Sequence, residues 1–228
     1  MNSSRKPITL TFLLGVAMLV IATPSEAFVN CNDANQVDNV ALQTAGTIAV
    51  GTRLNPNINR RHVFCGEINV GGNAVGFHYR ENGEEPRRGA KVGSPLQAKI
   101  TAGIDYIIDG GAPAHDRRYV ASGVQVWNPL TNAWVAKANV STMFPDNCTP
   151  AQIVNSIRYA YTHAATIPGG VGGAFAGPSA PPGANVNYCY GVDNTGGTNV
   201  PFPIGGYLNN PGGGANWIIN SAFPAAVF

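Results

Sequence analysis

The run RRHVFCGEINVGGNAVGFHYR, residues 60–80, decides how this chain is read, because it holds two of the four histidines, His62 and His78. Around them lie Arg60, Arg61 and Arg80, with Glu67 as the one acid inside the run. The local pattern predicts a β-hairpin. HVFCGEINV and NAVGFHY are β-prone, and Gly71-Gly72-Asn73 supplies a turn that tolerates positive φ. In the second arm Val75, Phe77 and Tyr79 share one face, which puts Gly76, His78 and Arg80 on the other. His78 then stands opposite the apolar set, beside a glycine that lets a backbone or a ligand approach closely.

Toward the N-terminus the chain carries the marks of an export signal. Arg5 and Lys6 form a positive start, TLTFLLGVAMLVIA (residues 9–22) an apolar run, and Ser25-Glu26-Ala27 a small-x-small cleavage pattern. Residues 1–27 are therefore expected to be removed, leaving Phe28 first. The apolar run is shorter than the roughly 20 residues that span a bilayer. Removal of Arg5, Lys6 and Glu26 takes the formal charge from +2 to +1. Such a chain has no broad basic field, so global charge gives no argument for nucleic acid. Its cations are instead concentrated locally, at Arg53, Arg60, Arg61, Arg80, Arg87, Arg88, Lys91 and Lys99, opposed by Glu67, Glu81, Glu84 and Glu85.

Cys31, Cys65, Cys148 and Cys189 all survive cleavage. An even count in an exported chain favours two disulfides, with three pairings open, and no C-x-x-C suggests zinc or redox chemistry. Each bridge would add roughly 2–4 kcal/mol, useful in a chain with 28 glycines and 17 prolines. The compartment implied is extracellular or periplasmic. Roughly 200 mature residues suffice for one domain with a real core, arranged in one or two lobes.

Residues 31–45, CNDANQVDNVALQTA, read as a short helix with Asn32 or Asp33 as N-cap and an apolar stripe of Val37, Val40, Ala41 and Ala45. Residues 48–51 read as a brief strand or link. Beyond the histidine run, residues 81–95 are polar and broken by glycine and proline, a surface loop long enough to bind something. VASGVQVWN (120–128) and AWVAKANV (133–140) flank Pro129-Leu130-Thr131-Asn132 and predict a second hairpin. Lys137 is the only Lys or Arg between Arg118 and Arg158, on an aromatic strand. A lysine there either snorkels at the sheet edge or faces a site.

The strongest helix start is Thr149-Pro150-Ala151-Gln152: Thr as N-cap, Pro first in the helix, Gln three residues after the cap. Ile153, Ile157, Ala160 and Tyr161 then repeat at helical spacing and should pack on a sheet. His163 near its end and His115 in a polar loop are read as structural. Residues 168–184 are Gly/Pro/Ala-rich and predict no regular structure. NWIIN, within the apolar end 216–228, predicts a strand. The fold class is α+β, with antiparallel sheets or hairpins and a few packed helices.

Two histidines without a cysteine cluster or a carboxylate pair leave three chemistries. His-x15-His lacks a third ligand and a diagnostic zinc spacing. No G-x-S-x-G nucleophile elbow occurs. The third is RNA cleavage by the ribose 2′-OH, where one imidazole takes a proton, the other gives one, and a cation stabilises the phosphorane. Imidazole suits both transfers because its pKa, about 6.5, lies near neutrality. Lys137 would supply the cation.

The motifs H-V-F-C-G-E-I-N…G-x-x-x-G-F-H (62–78) and W-V-A-K-A-N-V-S-T-M-F-P-D (134–146) resemble the bacterial EndoU endoribonuclease domain. That family uses a His–His–Lys triad, with Ser or Thr four residues after the lysine. The resemblance implies His78 as base, His62 as acid, Lys137 as the cation and Ser141 as the hydroxyl reading the uracil edge, with Thr142 as its substitute. It also implies an EndoU-like domain over 60–228 with a Gly/Pro-rich insertion around 168–186, preceded by a helical segment over 28–59. The family's C-terminal I-x-T-A-Y-P appears here as Ile219-Asn220-Ser221-Ala222-Phe223-Pro224. Ser221 and Phe223 are thus placed at the substrate, and Phe223 stacks without the tyrosine hydroxyl.

Together with the export signal, the resemblance implies a secreted or periplasmic endoribonuclease for single-stranded RNA, cutting at uridine and leaving a 2′,3′-cyclic phosphate. It would be monomeric and require no cofactor, with a divalent metal such as Mn as a stimulant at most. An antagonistic toxin, with an immunity protein as partner, is one role the resemblance implies; a scavenging nuclease is another. The competing readings are an inactive EndoU-like RNA- or protein-binding module, an extracellular structural domain, and a metal hydrolase using His62, His78 and Glu67.

Overall fold

The structure is a computed structural model that describes residues 28–43, 46–107, 116–164, 173–193, 195 and 197–225. The export signal, His115 and Ala45 lie outside those residues. In chain order the elements are α1 (Ala34–Val37), β1 (Val40–Ala41), β2 (Asn57–Ile58), α2 (Arg60–Phe64), β3 (Glu67–Ile68), β4 (Ala74–Val75), β5 (Ala98–Ile100), β6 (Ile104–Tyr106), β7 (Tyr119–Ala121), β8 (Val124–Asn128), β9 (Ala133–Ala136), β10 (Ser141–Met143), α3 (Pro150–Thr162), β11 (Ala174–Pro178), β12 (Pro203–Asn209) and β13 (Ile218–Pro224). Mostly antiparallel strands with three helices make the α+β class expected.

Helix α3 forms where its sequence demands. Thr149 accepts from the Gln152 amide while the Gln152 side chain accepts from the Thr149 amide, a complete capping box, with Pro150 in the first turn. Its stripe of Ile153, Ile157, Ala160 and Tyr161 is buried. That face lies on a five-stranded sheet ordered β1-β2-β13-β12-β11, in which only β13 and β2 run parallel. The contact is close at Gly177 of β11, where a Cβ would sit 2.0 Å from the Ala160 carbonyl oxygen. These elements enclose the larger apolar cluster, which includes Phe64, Tyr79, Phe144, Phe175, Ile204 and Ile219.

A second, smaller cluster gathers Phe77, Tyr119, Val124, Val126 and Met143. It is walled by two three-stranded sheets, β10-β7-β6 and β5-β8-β9, and by the β3-β4 pair. Of the predicted hairpin over 120–140 the inner part is present as β8 and β9, joined by the 129–132 turn, whereas Val120–Ala121 belong to β7 in the other three-stranded sheet and β9 ends at Ala136. Asn132 takes the positive φ that such a turn requires.

Four sequence expectations are corrected. Residues 60–64 are helical, not a strand, and the hairpin shrinks to two residue pairs, Glu67 with Val75 and Ile68 with Ala74. The helix expected over 31–45 stops at Val37, and Val40–Ala41 leaves to pair with β2. Residues 48–51 form a turn rather than a strand. Part of the Gly/Pro-rich stretch is the ordered strand β11.

The disulfides are Cys31–Cys65 and Cys148–Cys189. The first joins the N-terminal segment to the C-cap of α2; the second joins the approach to α3 to the segment beside Tyr188 and Tyr190. Among the described residues no helix is long and apolar enough to cross a membrane.

Candidate active site

Asn59 caps α2 by accepting from the His62 amide, and Gly66, at φ 66°, ends it just past the Cys65 C-cap. This single turn presents His62. Its flanking arginines do not face the cleft. Arg60 donates to the Ala34, Asn35 and Asp38 carbonyls, and Arg61 to that of Cys31. The two guanidiniums therefore hold α2 to the N-terminal segment.

His78 arrives on an irregular stretch. Gly76 and Phe77 both take positive φ, 74° and 62°. Their strand partner is replaced by α2: Phe77 donates its amide to the His62 carbonyl, and His78 to that of Val63. A Cβ at position 76 would lie 2.1 Å from the His62 carbonyl oxygen, so only glycine permits this approach. The glycine noted beside His78 thus serves the other histidine's backbone. Phe77 offsets its unfavourable backbone with a fully buried ring in the smaller cluster.

The two imidazoles lie with ring centroids 6.2 Å apart. His78 Nδ1 is 2.9 Å from the Thr142 carbonyl oxygen. A carbonyl only accepts, so Nδ1 carries the hydrogen and Nε2 keeps its lone pair in the neutral ring. Burial first, then the neighbouring Lys137 and His62, hold the His78 pKa well below its usual value. His78 is accordingly neutral at physiological pH. His62 Nδ1 lies 2.8 Å from Glu67 Oε1, which fixes the ring and makes a charged pair whenever the ring is protonated.

Lys137 extends one residue past β9, its amide donating to the Val124 carbonyl. Its ammonium donates to the Gly76 carbonyl at 2.9 Å and to Ser141 Oγ at 2.5 Å. One of its three hydrogens remains. Burial lowers its pKa to about 8, so the charge persists at neutral pH.

A cleft of about 540 Å³ brings these groups together with Val75, Gly76, Asn139, Val140, Thr142, Tyr207, Asn220, Ser221 and Phe223. The Phe223 ring is 5.4 Å from that of His78. Ser141 is not among the lining groups. It is fully buried, accepting from Lys137 and donating to the Gly76 carbonyl, while its neighbour Thr142 faces the opening. Asn59 Nδ2 reaches both Glu67 and Asn220, linking the His62 support to β13.

Asn220 and Tyr207 are cleft residues that the motifs did not single out, and Gly76, which the histidine motif includes, takes a part there that the motif did not give. For Gly76 the signal was present, since glycine before the aromatic Phe77 interrupts a β-prone run. Tyr207 sits in PIGGYLN, whose paired glycines concealed the strand β12. The cation concentration of residues 53–99 proves largely structural. Arg80 bonds Tyr119 and Asp146, Arg88 lies over Trp127, and Lys99 over Trp134. A separate cavity of about 640 Å³ lies between the N-terminal segment and α3, without a histidine in its wall. Among the described residues no group of three or more His, Cys, Asp or Glu side chains is placed to hold a metal ion, and the set His62, His78 and Glu67 is no exception.

Two buried imidazoles and an ammonium thus share one cleft of an α+β domain. The family model described as bacterial EndoU nuclease matches residues 56–226, and the chain belongs to that family. Membership makes the protein a nuclease. No curated protein and no solved structure matches the chain.

Proposed function

We propose that the protein is an exported endoribonuclease that cuts single-stranded RNA on the 3′ side of uridine. The observation that supports this most is the pair of rings tied back at Nδ1, which leaves both Nε2 atoms for one substrate. His78 Nε2 takes the proton of the 2′-OH, and the resulting O2′ attacks phosphorus. The P–O5′ bond breaks, and His62 gives its proton to the departing O5′. A 2′,3′-cyclic phosphate and a 5′-hydroxyl are the products, with atoms and charge balanced. Lys137 aims its remaining N–H at the phosphorane, where an ammonium fixed in advance stabilises the developing charge. Each proton transfer contributes on the order of 10²–10⁴ in rate.

Ser141 acts through Lys137 as a positioning residue. Phe223 stacks on uracil, and Thr142 and Ser221 supply the polar contacts to the base and ribose. The two buried disulfides favour an oxidising compartment, secreted or periplasmic, as the working place. No step described draws on a cofactor. The test is an oligonucleotide carrying one uridine. Cleavage 3′ of that uridine, with a cyclic phosphate by mass and full resistance when 2′-deoxyuridine replaces it, is the expected result. Cleavage of the deoxy substrate would refute the 2′-OH mechanism, and an inert protein would favour a binding module.

A further inference from the structure

The cleft continues past the catalytic groups as a row of rings. Ring centroids are 6.2 Å apart from His62 to His78, 5.4 Å from His78 to Phe223, and 6.0 Å from Phe223 to Tyr207. Tyr207 stands opposite Ser221 in the β12–β13 ladder, and Phe223 opposite Gly205. Side chains two apart on a strand share a face, so Ser221, Phe223 and Tyr207 form one surface. Ala222, between them, is buried on the other side. Gly205 brings no side chain over Phe223, which leaves that ring open.

Tyr207 itself is 55% exposed, more than any other aromatic among the described residues. No hydrogen bond holds its hydroxyl among those residues. A large ring left uncovered beside a cleft is unusual for fold stability and apt for stacking a planar ligand. Successive bases of a single strand stack on such rings with little regard to sequence.

We propose that Tyr207 is the stacking platform for the nucleobase on the 5′ side of the cleaved uridine. The side is set by the order of the rings and rests on the endoribonuclease reading of the cleft. His62 serves the leaving oxygen of the 3′ nucleotide, His78 the uridine 2′-OH, and Phe223 the uracil. Tyr207 lies beyond Phe223, away from the leaving group, where the preceding base falls. The preferred substrate is thus an unpaired stretch with at least one nucleotide on the 5′ side of the uridine.

The test compares UpA, ApUpA and a trinucleotide whose 5′ residue is abasic. In the wild type, kcat/KM for ApUpA should exceed that for UpA and for the abasic substrate by about tenfold, mainly through KM. Tyr207→Ala should erase that gain and leave UpA cleavage unchanged. Tyr207→Phe and Tyr207→Trp should keep it, because the ring rather than the hydroxyl is used. Equal losses on UpA and ApUpA would overturn the proposal by assigning Tyr207 to the uridine. So would a gain that survives Tyr207→Ala. If the wild type cuts UpA with no gain from the 5′ base, the platform alone fails; if it cuts neither, the ribonuclease reading fails and takes the platform with it.

Discussion

Helix α3 and the segment from Gly76 to Tyr79 are both packed into apolar clusters, yet they are supported in opposite ways. The helix carries its own support: a capping box, a proline in the first turn and an apolar stripe at the right period. The histidine segment has two successive positive φ angles and borrows carbonyls from α2 for its amides. Its neighbours are fixed from outside, by a disulfide to Cys31 and by Arg80 bound to Tyr119 and Asp146. Regular structure is stable for local reasons, whereas this site is stable only because the surroundings over-determine it. That is a cost of placing two imidazoles and an ammonium together, and it concentrates around the two histidines.

The comparison can be broken hardest at Gly76. Gly76→Ala meets both an unfavourable φ and a 2.1 Å clash with backbone, and should abolish activity and cost about 4 kcal/mol in urea unfolding. Gly72→Ala, at φ 78° with nothing within 4 Å, isolates the φ contribution and should cost about 1 kcal/mol with activity kept. Equal effects at the two positions would show that α2 does not support the segment by close approach.

The disulfides sharpen the contrast next. Removing either by a double Cys→Ala change should cost about 3 kcal/mol. Only loss of Cys31–Cys65 should also lower kcat in protein still folded, because Cys65 ends the helix that carries His62. If loss of Cys148–Cys189 lowers kcat as much, the two regions are not independently supported.

Smaller effects test each region alone. Lys137 is a partly buried cation with no carboxylate partner among the described residues, so Lys137→Met should remove activity while raising stability by up to about 1 kcal/mol. A stability loss would mean that its bonds to Gly76 and Ser141 outweigh its desolvation. Thr149→Ala should lower the melting point by an amount matching about 1 kcal/mol and leave activity unchanged.

The same contrast explains what the sequence made legible. Helix α3 was readable because its caps and period agree. The 120–140 hairpin was readable because alternation and turn agree. Helix α2 was bracketed by Asn59 and Gly66, yet HVF within it is β-prone, and a single turn has no period to outvote it. Strands β11 and β12 were hidden by their glycines. Gly177 makes room for α3, and a Cβ at Gly206 would strike the Phe175 ring, so tertiary packing chose residues that propensity reads as loop. Among site residues, motif order located His62, His78, Lys137, Thr142, Ser221 and Phe223 at the cleft. Ser141 went behind Lys137, since Ser141 and Met143 face inward on β10 while Thr142 faces out.

The division of labour between the imidazoles is tested most directly by changing the leaving group. Uridine 3′-(4-nitrophenyl phosphate) releases a phenolate that needs no acid, whereas UpA releases an alkoxide that does. His62→Ala should lose UpA cleavage by at least about 10² yet retain most activity on the aryl ester, while His78→Ala should lose both. Equal losses on the two substrates in His62→Ala, or retained aryl-ester activity in His78→Ala, would contradict the assignment of acid and base.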